Sequence, residues 1–318
     1  MEKCMGQVLV VGSLNMDLLI QSPRLPKPGE TLLGYRYVSK HGGKGANQAY
    51  AAAMLGSGVT MLGCVGNDRF GSLLISKLSE VAVDTEFIET QYDKATGTAF
   101  VMTDNAGNNS IIVIPGANEL CTAEYIRRNE SLFQRTDCVL LQLEIPLDGV
   151  TEAIRLAKKY GKKVILNPAP ARSDILDDIL RLVDVLTPNE TELALLTGAD
   201  TDTLEATEHA GRILLERGVG SVVVTLGEVG AMLVSAERTC LIPARKVRAV
   251  DSTGAGDCFN GVIAALLAGG KEFEEAIKVA NIAASISTTR EGAMCSMPAQ
   301  GEIEAAQRES SISGEENG

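Results

Sequence analysis

The stretch DSTGAGD at Asp251–Asp257 stands directly before the apolar run Cys258–Leu267, which has the composition of a buried helix. Gly254, Ala255 and Gly256 carry little or no side chain, so a ligand can approach the backbone closely there. A helix that begins at this point directs its free N–H groups and the positive end of its dipole towards the same ligand. The junction therefore predicts an anion-binding loop suited to phosphate.

Asp257 lies in the first turn of that predicted helix, where the dipole favours an ionised carboxylate. A carboxylate beside a phosphate site can accept the proton of a hydroxyl group that attacks a phosphoryl group. The alternative is a structural role, in which Asp257 only complements the helix dipole. The small residues before it, and a second acid at Asp251, favour the catalytic interpretation.

A second glycine-rich segment, His41–Gln48, also leads into an Ala-rich helix, but its lysine lacks the following Ser or Thr of a P-loop. Gly42 and Gly43 allow close approach, while Lys44 and Asn47 offer hydrogen-bond donors for the hydroxyl groups of a sugar. The alternative is a plain glycine turn before a helix.

Two weaker signals follow predicted strands. Asn15 and Asp17 come after the first strand, where parallel sheets form ligand crevices, and the pair can bind a polyol, although N-x-D is also a common turn. Asn189 and Glu192 begin a later helix, and helix capping is a complete explanation for both. The functional alternative is that Glu192 orders water around Mg²⁺ while Asn189 faces a nucleotide.

Short apolar runs alternate with stretches of helical period, which predicts βαβ units and a mostly parallel sheet covered on both faces, an α/β fold. The predicted strands are Gln7–Val11, Val59–Val65, Cys138–Leu143, Val164–Leu166, Val183–Leu186 and Val222–Leu226. The predicted helices are Ala46–Leu55, Phe70–Val81, Leu147–Tyr160, Glu190–Leu196, Thr203–Arg217, Gly256–Leu267 and Phe273–Thr289.

Two regions, about 17–40 and 96–115, contain strand-like runs without an intervening helix. In the second, Thr98–Thr103 and Ser110–Ile114 flank the turn-forming segment Asp104–Asn109, which predicts a β-hairpin. Together the two regions predict a small antiparallel sheet beside the main domain, of the kind that serves as a lid or an interface. An extension at the edge of the main sheet explains the pattern equally well.

The composition is that of a globular protein with a large core, since 45% of the 318 residues are apolar and 22% are charged. We expect one large domain over residues 1–300, followed by a polar tail over 301–318. The net charge of −12 repels phosphate backbones and anionic lipid, so neither nucleic acid nor a membrane surface is an expected partner. Only two histidines are present, which excludes a three-histidine metal site.

The seven cysteines form no C-x-x-C pair, so neither a disulfide framework nor a zinc ribbon is supported. We expect reduced and mostly buried thiols at Cys4, Cys64, Cys121, Cys138, Cys240, Cys258 and Cys295. No apolar run reaches the length of about 18 residues that a membrane-spanning helix needs, and the N-terminus lacks the features of a signal peptide. These observations predict a cytoplasmic protein.

Several common motifs do not occur in the sequence. G-x-x-x-x-G-K-[ST] is missing, as is G-x-G-x-x-G after the first strand, and neither G-x-S-x-G nor H-E-x-x-H is present. P-loop NTPases, dinucleotide-binding proteins, serine hydrolases and zinc proteases of these types therefore lose their main support.

Taken together, the segments resemble the ribokinase, or PfkB, family of sugar kinases over roughly Val8–Pro298. The family signatures are matched by GGKGANQA at Gly42–Ala49 and, with high specificity, by DSTGAGDCFNG at Asp251–Gly261. GSLNMD, TPNETE, QLE at Gln142–Glu144 and NPAPAR at Asn167–Arg172 are more similar to the members that phosphorylate ribose than to fructokinases or adenosine kinases. The resemblance implies a three-layer α/β/α fold with a mostly parallel central sheet and a small antiparallel β lid.

The resemblance also implies roles for individual residues. Asp257 would be the catalytic base, and Gly254, Ala255 and Gly256 would supply the anion hole. D-ribose would be held by Asn15, Asp17, Gly42, Gly43, Lys44, Asn47, Glu144 and Asp257. ATP would be held by Asn189, by the turn Thr225, Leu226, Gly227, Glu228, Val229 and Gly230, by Gly256 and by Asn281. Glu192 would bind Mg²⁺ through water, and an activating K⁺ would be bound by Asp251, Thr253, Ser287, Arg290, Gly292 and Ser296, largely through backbone carbonyls.

Two positions depart from the commonest patterns of the family. Asn281 stands where several members have His, and Glu291 stands in the cation loop where Lys is frequent. Contacts of Asn281 with adenine are therefore in doubt, whereas a change at Glu291 is tolerated if only backbone groups of its neighbours bind the ion. The resemblance further implies that the lids of two subunits pair to form a homodimer.

The implied activity is ATP-dependent phosphorylation of D-ribose at its 5-hydroxyl, which gives ribose 5-phosphate and ADP. The alternative within enzymes is a kinase for another small furanose, such as 2-deoxyribose, or for a nucleoside. A catalytically silent sugar-binding regulator is the alternative from another class, but a binder would need neither Asp257 nor the unbroken glycine run. A metal-dependent hydrolase is disfavoured by the shortage of histidine.

Overall fold

Helices pack on both faces of a nine-stranded sheet, and a separate four-stranded sheet lies beside it. The structure is a computed structural model that describes residues 6–315, so Cys4 and the last residues of the predicted tail, 316–318, lie outside the described residues. The strands are β1 (Gln7–Val11), β2 (Asn15–Gln21), β3 (Arg36–Gly42), β4 (Gly58–Gly66), β5 (Ile88–Gln91), β6 (Gly97–Thr103), β7 (Asn109–Ile114), β8 (Cys138–Leu141), β9 (Lys163–Leu166), β10 (Val185–Leu186), β11 (Ser221–Thr225), β12 (Gly230–Val234) and β13 (Thr239–Pro243). The helices are α1 (Lys44–Met54), α2 (Arg69–Ser79), α3 (Ala123–Arg128), α4 (Ser131–Arg135), α5 (Leu147–Lys159), α6 (Asp177–Leu180), α7 (Glu190–Thr197), α8 (Leu204–Glu216), α9 (Ala255–Ala268), α10 (Phe273–Ser287) and α11 (Gln300–Glu315).

The main sheet has the strand order β13-β12-β11-β10-β9-β8-β1-β4-β5 and is parallel from β11 to β5. This confirms the predicted α/β class. The antiparallel strands β12 and β13, which the sequence did not predict, extend one edge of the sheet. A hairpin needs no crossover helix, so it escapes a prediction that rests on the alternation of strands and helices.

The alternation of side chains along each strand divides the core into two layers. In β1, Val8 and Val10 belong to the layer beneath α1, α9 and α10, whereas Leu9 and Val11 belong to the layer beneath α5 and α8. All four side chains are buried, because a parallel sheet covered on both faces leaves no strand residue facing water. The apolar run at the start of the chain therefore forms a central strand.

The smaller sheet has the order β3-β2-β6-β7, which decides between the two alternatives for regions 17–40 and 96–115 in favour of a separate sheet. Its two hairpins, β2–β3 and β6–β7, are antiparallel as predicted. The pair that joins them, β2–β6, is parallel, because the two hairpins lie side by side in the same direction.

The polar segment after Gln300, predicted to be a tail, forms helix α11 as far as Glu315. Ile303 and Ala306, spaced at about one helical turn, are buried against the domain, which explains why this segment is helical. The six described cysteines are free thiols, and four of them are buried. No helix within residues 6–315 has both the length and the apolar character needed to cross a bilayer.

Candidate active site

Polar residues that follow neighbouring strands, among them the predicted ligand residue Glu144, gather at the carboxyl edge of the main sheet. Ser13 follows β1, Glu144 follows β8, Asn167 follows β9 and Thr187 follows β10, and these strands are parallel neighbours. The carboxyl ends of parallel strands open at the same edge, which is where open α/β sheets bind ligands. Segments far apart in the sequence are thereby brought to one place.

Asp257 lies in the first turn of α9, and its side chain is only 7% exposed. Its Oδ2 accepts a 2.8 Å hydrogen bond from Nδ2 of Asn47, and its Oδ1 accepts a 2.9 Å bond from Nε2 of Gln48. Both donors come from α1, so the two glycine-rich segments of the sequence meet at this carboxylate. The orientation of the Asp257 side chain is therefore fixed before any ligand binds.

The loop before α9 leaves backbone N–H groups free. Gly254 is the N-cap with a φ of 77°, a left-handed conformation that only glycine adopts easily, and an added Cβ would lie 2.8 Å from the Cβ of Ala293. Within residues 6–315, no acceptor bonds to the N–H groups of Gly256 and Asp257, whereas that of Ala255 donates to the carbonyl of Ser252 at 3.2 Å. The Asp257 N–H was not identified from the sequence as an anion donor, although the first residues of any helix leave backbone N–H groups without helical partners.

The two segments predicted to bind a sugar are joined by the pairing of β2 with β3. In this register Asn15 stands opposite Gly42, and Asp17 stands opposite Lys40. A side chain at Gly42 would overlap the carboxylate of Asp17, and Gly43, with a φ of 86°, is the N-cap of α1. These glycines therefore serve the close packing of the protein's own chain, a role that the sequence alone did not distinguish from ligand approach.

Several carboxylates lie around the ammonium group of Lys44 at this site. Burial, reinforced by the charges of Glu144 and Asp257, raises the pKa of Asp17 to about 7. Burial opposes the charged form of Lys44, but Asp257, Glu144 and other carboxylates outweigh it and raise the pKa of Lys44 above its usual range. Burial also raises the pKa of Glu192. The positive charge of Lys44 thus offsets the mutual repulsion of several carboxylates in one cleft.

Two residues that the sequence did not single out hold side chains that were predicted to bind a sugar. Oε2 of Glu144 accepts hydrogen bonds from the hydroxyl of Ser13 at 2.5 Å and from the backbone N–H of Lys44 at 3.0 Å. Oδ1 of Asn15 accepts a 2.7 Å bond from Nδ2 of Asn118. Ser13 belongs to the GSLNMD motif, so the sequence could have indicated it. Asn118 lies in a short 3₁₀ turn outside any recognised motif, so the sequence could not have indicated it.

Asn47 has one polar atom without a partner. Its Nδ2 donates to Asp257, but its Oδ1 is buried and accepts no hydrogen bond from residues 6–315. Buried polar atoms are almost always paired, so this oxygen is available to accept a bond from a ligand hydroxyl group.

The predicted nucleotide residues lie further along the same edge. Asn189 and Glu192 form a complete capping box, with Oδ1 of Asn189 accepting from the Glu192 N–H at 2.8 Å and Oε2 of Glu192 accepting from the Asn189 N–H at 2.9 Å. Both hydrogen bonds of the predicted helix cap are therefore present. The N–H of Thr225 donates to the carbonyl of Pro188 at 2.9 Å, which places the turn Thr225–Gly230 beside this cap.

Asn281 lies inside the protein rather than on an open surface. Its Nδ2 donates to the carbonyl of Ile242 at 2.9 Å, which ties α10 to β13. This hydrogen bond gives the residue a structural role, and a contact with adenine stays a prediction.

Two of the predicted K⁺ residues, Thr253 and Gly292, contact Asp251. Oδ1 of Asp251 accepts from the N–H and hydroxyl of Thr253 at 2.9 and 2.6 Å, and Oδ2 accepts from the N–H of Gly292 at 2.8 Å. The guanidinium of Arg290 pairs with Glu302, so only its carbonyl is free to face the loop. The hydroxyl groups of Ser287 and Ser296 donate to carbonyls within their own turns at 2.8 Å. Within residues 6–315, no group of three or more His, Cys, Asp or Glu side chains forms a metal cluster.

Comparisons with known proteins agree on one family. A sequence model described as pfkB family carbohydrate kinase matches residues 5–300. A ribokinase of Haemophilus influenzae is 41% identical over 92% of this chain and 95% of its own length, and a deoxyribokinase of Salmonella typhi is 38% identical over 92% and 95%. The structure of Arabidopsis thaliana ribokinase complexed with ribose and ATP has a TM-score of 0.91 and 34% identity, covering 95% of this chain and 98% of that one.

Proposed function

The chain belongs to the pfkB family of carbohydrate kinases, and we propose that it transfers the γ-phosphoryl group of ATP to the 5-hydroxyl of D-ribose, giving ribose 5-phosphate and ADP. One observation carries the proposal. The carboxylate of Asp257 is buried at the start of α9, held by two amide donors from α1, and lies in the same helical turn as the free N–H groups of Gly256 and Asp257. A base and an anion hole are therefore adjacent.

Sugar binding follows from the polar groups in front of Asp257. We assign hydroxyl groups of ribose to Asn15, Asp17, Lys44, Asn47 and Glu144, with Gly42 and Gly43 shaping the backbone between them. The unpaired Oδ1 of Asn47 gains a hydrogen-bond donor when a hydroxyl group binds. A cleft with several carboxylates and the ammonium group of Lys44 suits a neutral polyol, whose hydroxyl groups both donate and accept.

The reaction needs one proton acceptor and a site for negative charge. As the 5-oxygen of ribose attacks the γ-phosphorus, its O–H bond breaks and the proton passes to the carboxylate of Asp257, while ADP departs. The N–H groups of Gly256 and Asp257, with the dipole of the 14-residue helix α9, stabilise the charge on the transferring group. We place ATP along the turn Thr225–Gly230 and Asn189.

The residues present fit the two metal ions that the family implies. Mg²⁺ is commonly bound by one or two carboxylates together with phosphate oxygens and water, and Glu192 offers one such carboxylate near Lys44 and Asp257. The ion supplies neutralisation of phosphate charge. K⁺ would be held by Asp251, whose Oδ1 and Oδ2 accept hydrogen bonds from Thr253 and Gly292, together with backbone carbonyls of the same segment, because a hard cation prefers oxygen donors.

The test is a panel of phosphoryl acceptors with ATP and Mg²⁺, measured as ADP release with and without K⁺. We expect D-ribose to have the highest kcat/KM and K⁺ to raise its rate. The deoxyribokinase relative supports 2-deoxyribose as the second candidate, so that sugar and a nucleoside are the key competitors. A higher kcat/KM for either competitor would reassign the substrate, and ribose binding without ADP release would indicate a sugar-binding regulator.

We also propose that the small sheet, formed from segments about 17–40 and 96–115, is the lid of a kinase domain spanning residues 1–300. Asp17 and Lys40 share one face of this sheet, which we assign to the sugar site.

On the opposite face of the small sheet Tyr37 is 61%, Ile112 is 56% and Ile114 is 51% exposed. Large apolar patches on a surface mark interaction sites, and we infer that a second copy covers this one in a homodimer. The free thiols suit a cytoplasmic location.

The substitution Ile112→Lys should convert the proposed dimer to a monomer, because it places a charge in an apolar contact between copies. Sedimentation velocity measures the change. Leu176→Lys is the matched control, since Leu176 is 66% exposed but lies at the start of α6. A dimer that survives Ile112→Lys, or an unmodified protein that is monomeric, contradicts pairing through this face.

A further inference from the structure

A chain of buried amide side chains leads from the carboxyl edge of the sheet to Asp257. Gln142 and Gln48 are both fully buried. Nε2 of Gln142 donates to Oε1 of Gln48 at 2.6 Å, and Nε2 of Gln48 donates to Oδ1 of Asp257 at 2.9 Å and to Oδ1 of Asn167 at 3.1 Å. The QLE and NPAPAR motifs, which the proposed chemistry leaves largely unused, thus supply two of the residues in this chain.

Asp257 and Gln142 together define the direction of these hydrogen bonds. The carboxylate of Asp257 can only accept, so the NH₂ group of Gln48 faces it, and Nε2 of Gln142 donates to the remaining Oε1 of Gln48 and holds that orientation. The reversed amide would place an oxygen against a carboxylate. Oε1 of Gln142 is itself buried without a partner, and a side chain at Gly12 would overlap it. The fold therefore accepts an unsatisfied oxygen in Gln142 while its amide orients Gln48.

A second branch of the same network reaches the anion loop. Nδ2 of Asn167 donates to the carbonyl of Thr187 at 3.0 Å, and the hydroxyl of Thr187 donates to Oδ1 of Asn260 at 2.5 Å. Nδ2 of Asn260 then donates to the carbonyl of Gly256 at 2.8 Å. The two branches converge on the first turn of α9, one at the carboxylate and one at the peptide of Gly256.

We propose that Gln48, oriented by Gln142, is a positioning residue that holds one carboxylate oxygen of Asp257 so that the carboxylate is aimed at the attacking hydroxyl group. This inference rests on the proposed function, because it takes Asp257 to be the base. Gln48 is buried behind the carboxylate and contributes through Asp257 rather than through the sugar. It should therefore affect turnover more than sugar binding.

The test begins with Gln48→Met, which keeps the length of the side chain and removes the donor. We expect kcat to fall about 10- to 100-fold, as for the loss of a hydrogen bond to a charged group, with ribose affinity by calorimetry within about twofold. Gln142→Met should lower kcat less, because Gln48 remains and loses only its orienting partner. Gln91→Met is the matched control, since Nε2 of Gln91 also donates to a carboxylate, that of Glu89 at 3.0 Å, on β5 away from the site.

A double-mutant cycle separates positioning from a general structural role. In an Asp257→Asn background, Gln48→Met should leave the residual turnover unchanged, because the base through which Gln48 acts is gone. An equal loss in both backgrounds, or an unchanged kcat in the single variant, would overturn the inference. If thermal unfolding shows that Gln48→Met does not fold, the same double-mutant cycle is measured with Gln142→Met and Asp257→Asn.

Failure of this inference is distinguishable from failure of the proposed function. If Asp257→Asn is inactive while Gln48→Met and Gln142→Met turn over normally, only the positioning role is lost. If Asp257→Asn itself turns over normally, the assignment of the base is wrong, whatever the glutamine variants do.

Discussion

Replacing Asp257 by asparagine should lower kcat by about 10²- to 10⁴-fold, the range that general base catalysis contributes. Asparagine has the same shape, and its oxygen can still accept a hydrogen bond from Asn47 or Gln48, so the ribose site should keep its form. It has no basic oxygen to take the proton of the 5-hydroxyl group. ADP release under saturating substrates measures kcat, and calorimetry should give a ribose Kd within a few-fold of that of the unmodified protein.

Asp148→Asn is the matched control for this variant. Asp148 lies in the first turn of α5, and its Oδ2 accepts a 3.1 Å hydrogen bond from a backbone N–H, so it shares the dipole position of Asp257 without the site around it. Its replacement should leave kcat unchanged. Near-normal turnover in Asp257→Asn would instead favour the structural interpretation, in which the carboxylate only complements the helix dipole.

Lys44→Met should lower kcat/KM for ribose by about 10²- to 10³-fold. Removing one partner from a group of buried charges leaves the others uncompensated, which costs about 2–5 kcal/mol. Asp17, Glu144 and Asp257 all face this ammonium group. Steady-state kinetics with varied ribose measure the loss. We expect most of it as a higher KM, because without Lys44 the carboxylates of the cleft repel one another and ribose must bind between them.

The same variant should move the pH dependence of ribose binding. Asp17 has a pKa of about 7, and the charge of Lys44 holds that pKa down. Because the ionised carboxylate is the stronger acceptor, ribose affinity should rise as pH increases through about 7 in the unmodified protein, and this rise should occur at higher pH in Lys44→Met. Lys40→Met, which removes a weaker influence on Asp17, should shift the rise in the same direction by less. A ribose Kd that is independent of pH between 6 and 9 in all three proteins would show that the ionisation of Asp17 does not affect sugar binding.

The strands and helices of the main domain were largely predictable, because the strands are short continuous apolar runs and the helices carry apolar residues at helical spacing. Gln7–Val11 agrees at both ends, and the helix predicted at Gly256–Leu267 is extended by one residue at each end. The edge hairpin β12–β13 and helix α11 were not predicted. A hairpin interrupts the alternation of strands and helices, and the buried stripe of α11 is short, at Ile303 and Ala306.

The site was predictable by residue type but not by contact. Glycines before a helix identified the loop at Gly254, yet only the structure shows that Gly42 packs against Asp17. Gln48 and Gln142 belong to motifs that the sequence shows, but their roles could not be predicted, because the role of a buried amide depends on the partners that the fold brings to it. The capping of Asn189 was visible in its spacing, since a capping box is local in the chain.

The contact between Gly12 and the amide of Gln142 makes these two positions interdependent for protein engineering. A Cβ at position 12 would overlap the amide oxygen of Gln142 and would also lie 2.9 Å from the Cα of Gly45, so a shorter residue at position 142 relieves only one of the two contacts. If residue 142 orients the amide of Gln48 as proposed, a change at position 12 or 142 should alter turnover without touching a ligand. Epistasis of this kind links the end of the first strand to the rate of the enzyme.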